Sequence, residues 1–289
     1  MSHRQHLNID LLDKSYQETD VSSYVLTAQL TDFHFSYAIF KSSNNKFIGL
    51  GKHPLPLSDG LSQVAALDQV FHDHPVLSKS FKHVWLSYGG KQNTLIPRAL
   101  FDKGAVRKYL EYNYHVPENH TVLSDNLKHT PAENIYSIPA ELEDSLYKLW
   151  PDLAIRHLST VLIESLGIHY KHIAGDNMVF VNIREDCFDM IHFKQSRLYF
   201  YNLFPFRSRE DFIYFLLAAL EQLGLNPESV QLFISGNLVK ESQLFDMIYR
   251  YIRHSDFIEH NNAYGYAHVL DELKLYEFYS LFNILQCAS

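Results

Sequence analysis

The stretch Met178–Val239, MVFVNIREDCFDMIHFKQSRLYFYNLFPFRSREDFIYFLLAALEQLGLNPESVQLFISGNLV, decides the fold. Its first three segments, MVFVNIRED, CFDMIHFKQ and RLYFYNLFPF, are rich in β-branched and aromatic residues, which suit a pleated surface. SREDFIYFLLAALEQLG follows, with Phe212, Leu216, Leu220 and Leu223 on one line and Ile213 and Leu217 widening it, the spacing of a helix. Ser208 stands as its N-cap, with Asp211 three positions on as a capping box. Gly224 stops the helix and Pro227 prevents a restart. VQLFISGN is then a strand that ends on Ser235-Gly236-Asn237, and a further helix carries Leu244, Phe245, Ile248, Tyr249 and Ile252. Meander, helix, strand, small-residue turn, helix is a specific mixed-sheet topology.

The front half repeats that order. YVLTAQLT, FHFSYAIF and KFIGLGKHPL read as an antiparallel meander, with Ser42-Ser43-Asn44-Asn45 as a turn. Ser58 is the expected N-cap of a helix through Leu61, Val64, Leu67 and Phe71, which Pro75 ends. FKHVWLSYGG is the matching strand, and a helix is expected from Pro97 through Leu110. Residues 1–23 read as a polar arm outside the core. In the middle, TVLSDNL, NIYSIP and AIRHL read as short strands and PAELEDSLYKLW as a helix. STVLIESLG reads as another helix, capped by Ser159 and stopped at Gly167, and KLYEFYSLFNILQC as a last apolar helix or strand-helix. The expected division falls near Trp150, giving domains 1–150 and 151–289.

Composition narrows the function classes. The chain has 33 acidic and 25 basic residues, a formal net charge of -8, and its Lys and Arg are scattered. That argues against a nucleic-acid partner, which needs a basic face to neutralise phosphates. Cys187 and Cys287 lie far apart and suggest reduced, buried thiols in a cytoplasmic protein. The longest apolar run, FIYFLLAAL, is about half of the ~20 residues needed to cross a bilayer, and the N-terminus lacks the apolar stretch of a signal peptide. A cytoplasmic location without membrane insertion is expected. The densest histidine group, His72-Asp73-His74, has no ligand spacing with other histidines and is not expected to hold metal.

The repeated order, with its hydrophobic strands ending in small residues, resembles the actin-like ATPase (ribonuclease-H-like) superfamily. Within it the chain is similar to a family of uncharacterised bacterial proteins akin to the pilus-assembly protein PilM and the cytoplasmic domain of GspL. The resemblance implies an α/β fold of two duplicated actin-like domains. Each would hold a mixed sheet with an antiparallel three-strand meander and flanking helices. It also implies a nucleotide site built from hairpin turns whose backbone N–H groups cradle phosphate, with carboxylates placing the waters of a metal ion.

Against that pattern, the first hairpin turn, Leu30 to Phe35, offers Asp32 but has Phe33 where a glycine is wanted. The second, Asn182 to Phe188, offers Asn182 and Asp186 and no glycine. The third, Ile234 to Asn237, keeps Ser235 and Gly236. Asp32, Asn182, Asp186, Ser235 and Gly236 are therefore the candidate, vestigial cofactor-binding residues, and no catalytic residue is assigned. Asp32 and Asp186 also match the first-strand acids of a ribonuclease-H-type nuclease, but VWLSYGG and LFISGN bring no acid to join them. The expectation is a non-catalytic scaffold that binds a protein partner and needs no cofactor. The alternative is a nucleotide-binding protein, a divergent ATPase or small-molecule kinase, that takes ATP and Mg.

Overall fold

The first strand of each meander, YVLTAQL and NMVFVNI, is buried along nearly its whole length. In the computed structural model, which describes residues 8–55, 62–172 and 177–287, the chain forms two compact units. The first comprises Met1–Glu164, Asn262–Leu273 and Ser280–Ser289, and the second Ser165–Asn261 and Lys274–Tyr279. The chain therefore does not divide at one point near Trp150. It changes unit after Glu164, and two later stretches return to the first unit.

The first unit contains β1 (Ile9–Leu12), β2 (Tyr24–Leu30), β3 (His34–Lys41), β4 (Lys46–Pro54), α1 (Gln63–Asp73) and β5 (His83–Tyr88). It continues with β6 (Asn93–Pro97), α2 (Val106–Glu111), β7 (His120–Asn126), β8 (Ala132–Pro139), α3 (Ala140–Leu149), β9 (Leu153–His157) and the start of α4 (Leu158–His169). Its main sheet has the order β1-β4-β3-β2-β5-β9, and β6-β8-β7 make a separate small antiparallel sheet. β2, β3 and β4 pair antiparallel, whereas β5 joins β2 and β9 joins β5 in parallel.

The second unit contains β10 (Asn177–Ile183), β11 (Cys187–Lys194), β12 (Arg197–Pro205), α5 (Arg209–Gln222), β13 (Gln231–Gly236), α6 (Gln243–Tyr251) and β14 (His254–Phe257). Its sheet order is β12-β11-β10-β13-β14, again an antiparallel meander extended by two parallel strands. Both meanders carry a register shift at the same place, between Ile39 and Phe40 and between His192 and Phe193. The last elements, β15 (Gly265–Tyr266) and α7 (Tyr279–Asn283), follow, with β15 parallel to β4.

Helices sit where the apolar lines predict them. In α5 the Ser208 hydroxyl accepts from the Asp211 N–H, and the Asp211 carboxylate accepts from the Ser208 N–H, so the capping box closes. Phe212, Leu216, Ala219 and Leu220 pack with Val181, Phe188, Met190 and Ile234 of the sheet. Gly224 takes φ 68°, the left-handed conformation that ends a helix. In the first unit, Ala66, Leu67 and Val70 of α1 and Leu142 and Leu146 of α3 share a core with Leu26, Ala28, Phe35 and Trp150.

Six local expectations change, two of them being that Ser159 lies inside α4 instead of capping it and that residues 275–287 form a 3-10 turn, α7 and a further 3-10 turn. Ser58 lies outside the described residues, and α1 is capped by Ser62, whose hydroxyl accepts from Ala65 N–H at 3.2 Å. Pro97 closes β6 instead of opening a helix, because residues 93–97 pair with β8; the helix starts at Val106. Gly167 does not stop α4, which continues to His169. The arm supplies β1, antiparallel to the outer side of β4 from Ile9↔Lys52 to Leu12↔Gly49. Cys187 and Cys287 are both buried and reduced, and burial raises the Cys287 thiol to about 12.

One titratable cluster sits beside this edge. His53, 3% exposed, stacks on Tyr37 with ring centroids 5.8 Å apart and lies 3.9 Å from the His74 ring. Asp10 accepts from Tyr37 Oη at 3.0 Å and lies 3.4 Å from His74 Nδ1. Burial, and then the neighbouring His74, lowers His53 to about 4, while Asp10 and Asp73 pull weakly the other way. The folded protein thus binds fewer protons than the unfolded chain between about pH 6.5 and pH 4, so stability falls as pH drops through that window. Urea unfolding as a function of pH is expected to show this loss, and His53→Gln, which takes no proton there, is expected to flatten it.

Candidate functional site

Parallel pairing brings the ends of β10 and β13 together, because Asn182 faces Ser235 and Ile183 faces Gly236. Carboxyl ends of neighbouring parallel strands are where open α/β sheets hold ligands. Here the side chains bond one another. Ser235 Oγ donates to Asn182 Oδ1 at 3.1 Å, and Asn182 Nδ2 donates to Asp189 Oδ2 at 3.2 Å. Tyr201 Oη donates to Asp189 Oδ1 at 3.0 Å, and Arg184 Nε lies 3.4 Å from Asp189 Oδ2. A polar ladder therefore crosses β12, β11, β10 and β13 on one face of the sheet. Asp189 is fully buried, and Asn182 and Tyr201 donate to its two oxygens, while Arg184, only 6% exposed, brings its guanidinium within 3.4 Å.

Gly236 is required by packing. Its φ is 84°, and a Cβ there would lie 2.2 Å from the Ile183 carbonyl oxygen and 3.0 Å from Asn182 Oδ1. Asn237 N–H donates to that same Ile183 oxygen at 2.7 Å. The glycine lets the turn after β13 close over the end of β10.

The two hairpin turns have the same build. Thr31 N–H donates to His34 O and Arg184 N–H donates to Cys187 O, each at 2.9 Å. By this register Asp32 corresponds to Glu185, not to Asp186. Asp186 instead presents its carbonyl to Phe206 N–H at 2.9 Å, holding the chain that leaves β12. Neither turn uses positive φ, which among the described residues occurs at Asn45, Gln195, Ser196, Gly224 and Gly236, so neither needs glycine for its own shape.

In the first turn the donors that would face a phosphate point to a side chain of the turn itself. Thr31 Oγ1 accepts from His34 N–H at 3.1 Å and from Phe33 N–H at 3.3 Å. Asp32 forms a surface ion pair with Lys91 at 2.9 Å, and Lys91 Nζ lies 5.8 Å from the Phe33 ring centre. The position matching Gly236 is Tyr88, paired with Leu30, whose phenol is raised by burial and then by the Asp32 charge. In the second unit Glu185 Oε1 accepts from Asn237 Nδ2 at 3.4 Å. Phe188 belongs to the core, against Phe204, Phe206 and Phe212.

Of the five candidate residues, Asn182, Ser235 and Gly236 therefore form one contact group in the second unit. Asp186 sits in the adjoining turn, and Asp32 lies in the first unit. Sequence reading missed Thr31, Glu185 and Asp189. Asp189 carried a signal, a lone acid inside the apolar strand CFDMIHFK, and so did Asn182 opposite it.

A second buried network lies in the first unit. Asp125 accepts from His157 N–H at 2.7 Å and Thr160 Oγ1 at 2.8 Å, with Arg156 Nη1 and Tyr136 Oη at 3.4 and 3.3 Å. His157 Nδ1 is 2.7 Å from Ser159 Oγ, but both residues are fully buried, and the His157 ring meets Gly90 O rather than the carboxylate. This fastens the small sheet to the start of α4; it does not expose a nucleophile. Among the described residues, no group of three or more His, Cys, Asp or Glu side chains is arranged to hold a metal ion.

These features define a protein of the actin-like ATPase fold. The chain belongs to the DUF3822 family, described as proteins of unknown function, whose pattern it matches over residues 13–255. A Bacteroides thetaiotaomicron protein with actin-like ATPase fold and unknown function superposes with a TM-score of 0.78 at 27% identity, over 84% of this chain and 93% of that one. The PilM-PilN type IV pilus biogenesis complex matches with a TM-score of 0.66 at 13% identity, over 92% of this chain and 98% of that chain, a likeness of fold alone. No curated protein matches the chain. Among the described residues, no helix is long and apolar enough to cross a membrane.

Two substitutions test the site's construction. Asp189→Ala removes the buried carboxylate that accepts from Asn182 and Tyr201 and faces Arg184, and is expected to cost about 3 kcal/mol in urea unfolding, with Asp189→Asn costing less because it can still bond Tyr201 and Asn182. Gly236→Ala meets both the left-handed φ and the Ile183 oxygen, and is expected to cost about 3 kcal/mol.

Proposed function

We propose that the protein is a non-catalytic, actin-like scaffold that acts by binding another protein. The observation that carries this reading is the first hairpin turn, where Thr31 Oγ1 takes the Phe33 and His34 N–H groups that a phosphate would need. Three further features support it. Asp32 is engaged by Lys91, the open side of Gly236 is taken up by the Ile183 backbone, and Tyr88 occupies the matching position in the first unit. The fold neighbour PilM is described in complex with PilN, which fits a partner-binding role. Reduced, buried cysteines support a cytoplasmic location, and the Bacteroides relative supports a bacterial one. We read the common strand order of the two sheets as an internal duplication.

The rival reading is nucleotide binding through Asp32, Asn182, Asp186, Ser235 and Gly236, with Mg-ATP as ligand. What favours it is the meeting of Asn182, Ser235 and Gly236 at the carboxyl ends of parallel strands. A thermal-shift titration with Mg-ATP separates the two. A ligand that binds only the folded state at a hundred times its Kd stabilises by about 2.7 kcal/mol. The scaffold reading expects no shift at millimolar nucleotide. Stabilisation that disappears in Asp32→Ala or Glu185→Ala would establish the rival.

A further inference from the structure

The two sheets share one topology but treat their outer meander edge differently. In the first unit the edge strand β4 is covered by the chain itself, with β1 along Gly49–Lys52 and β15 along Lys46–Phe47. The pairing continues to Asp13, whose N–H donates to Ile48 O at 2.8 Å. In the second unit the corresponding strand, β12, pairs with β11 and with no other strand among the described residues. It is nine residues long, against four for β1, and its tip is exposed, with Tyr199 at 61%. A long edge with one side unpaired is a template for another strand.

The chemistry of the edge selects what can cover it. From Met190 to Arg209 the sequence has Lys194, Arg197, Arg207 and Arg209 and no Asp or Glu, in a chain whose net charge is -8. Lys194, Arg197 and Arg207 are exposed, at the two ends of β12, and Lys194 Nζ lies 5.4 Å from the Tyr199 ring centre. A second copy is a poor occupant. Antiparallel pairing of two β12 strands would set Lys194 and Arg197 of each against Arg207 of the other. The first unit shows the alternative. Its covering strand, NIDLLD, carries two aspartates among its apolar residues, on a β4 edge that carries Lys46 and Lys52.

We propose that β12 is a docking edge that receives an extended, acidic segment of a partner protein, adding a strand to the second unit's sheet as β1 does in the first. Main-chain hydrogen bonds would supply affinity, and the cations at both ends would select aspartate or glutamate. This rests on the scaffold reading and specifies its partner. It stands or falls on a peptide experiment that is independent of the nucleotide titration.

The probe is a fluorescein-labelled hexapeptide of residues 8–13, NIDLLD, added to the full chain and followed by anisotropy and by amide hydrogen exchange. Expected are saturable binding and new protection in residues 197–205. Arg197→Glu with Arg207→Glu should weaken binding at least tenfold. A peptide with lysine for both aspartates, and one N-methylated at alternate backbone nitrogens, should not bind. The proposal is overturned by no binding at millimolar peptide, by protection at Lys46–Pro54 instead, or by affinity indifferent to charge and to N-methylation. It is also overturned by a dimer of the chain that Arg197→Glu with Arg207→Glu dissociates, which would make the occupant a second copy.

Discussion

Parallel pairing of β5 with β2, and of β13 with β10, is the constraint on which both units depend. It turns the first strand of each meander from an edge into a centre, flanked by neighbours on both sides. Such a strand must be apolar on its helix side, as Val179, Val181 and Ile183 are. The connection that makes it possible has to pass over one face of the sheet, and α1 and α5 are those connections. Their apolar lines then cover the strands they bridge. The polar ladder follows from the same pairing, because only a parallel register sets Ser235 beside Asn182 at the carboxyl end.

The ladder also explains how an aspartate side chain is accommodated in the sheet. Asp189 gains donors from strands on both sides of β11, so its desolvation is offset by geometry rather than by water. Arg184 turns inward from the hairpin turn and brings its Nε to 3.4 Å from Asp189 Oδ2. The turn thus closes on its own sheet, as the first does through Thr31.

How much was legible beforehand depended on the distance over which each feature is encoded. Meander, crossover helix and closing strand were legible, since alternation, the Ser208–Asp211 box and Gly224 are local signals. Asn182, Ser235 and Gly236 were singled out by what the actin-like resemblance implies, and parallel pairing places them side by side. The correspondence of Asp32 with Glu185 was not legible, because it is set by which carbonyl each turn's first N–H reaches. Nor was the sheet β6-β8-β7, because β6 and its partner β8 are separated by α2 and β7. β1 escaped notice because four residues, IDLL, become a strand only when β4 offers an edge.

The return of residues 262–273 and 280–289 to the first unit has a consequence for the order in which the protein is made. Phe47, on β4, completes its surroundings with Tyr264, Tyr266 and Phe282, and Val161 of α4 with Ile284 and Cys287. While the ribosome is still adding these residues, the first unit holds an unfinished core, though more than half the chain has emerged. The apolar surface of the first unit therefore stays open until synthesis of the second unit's whole sheet is done.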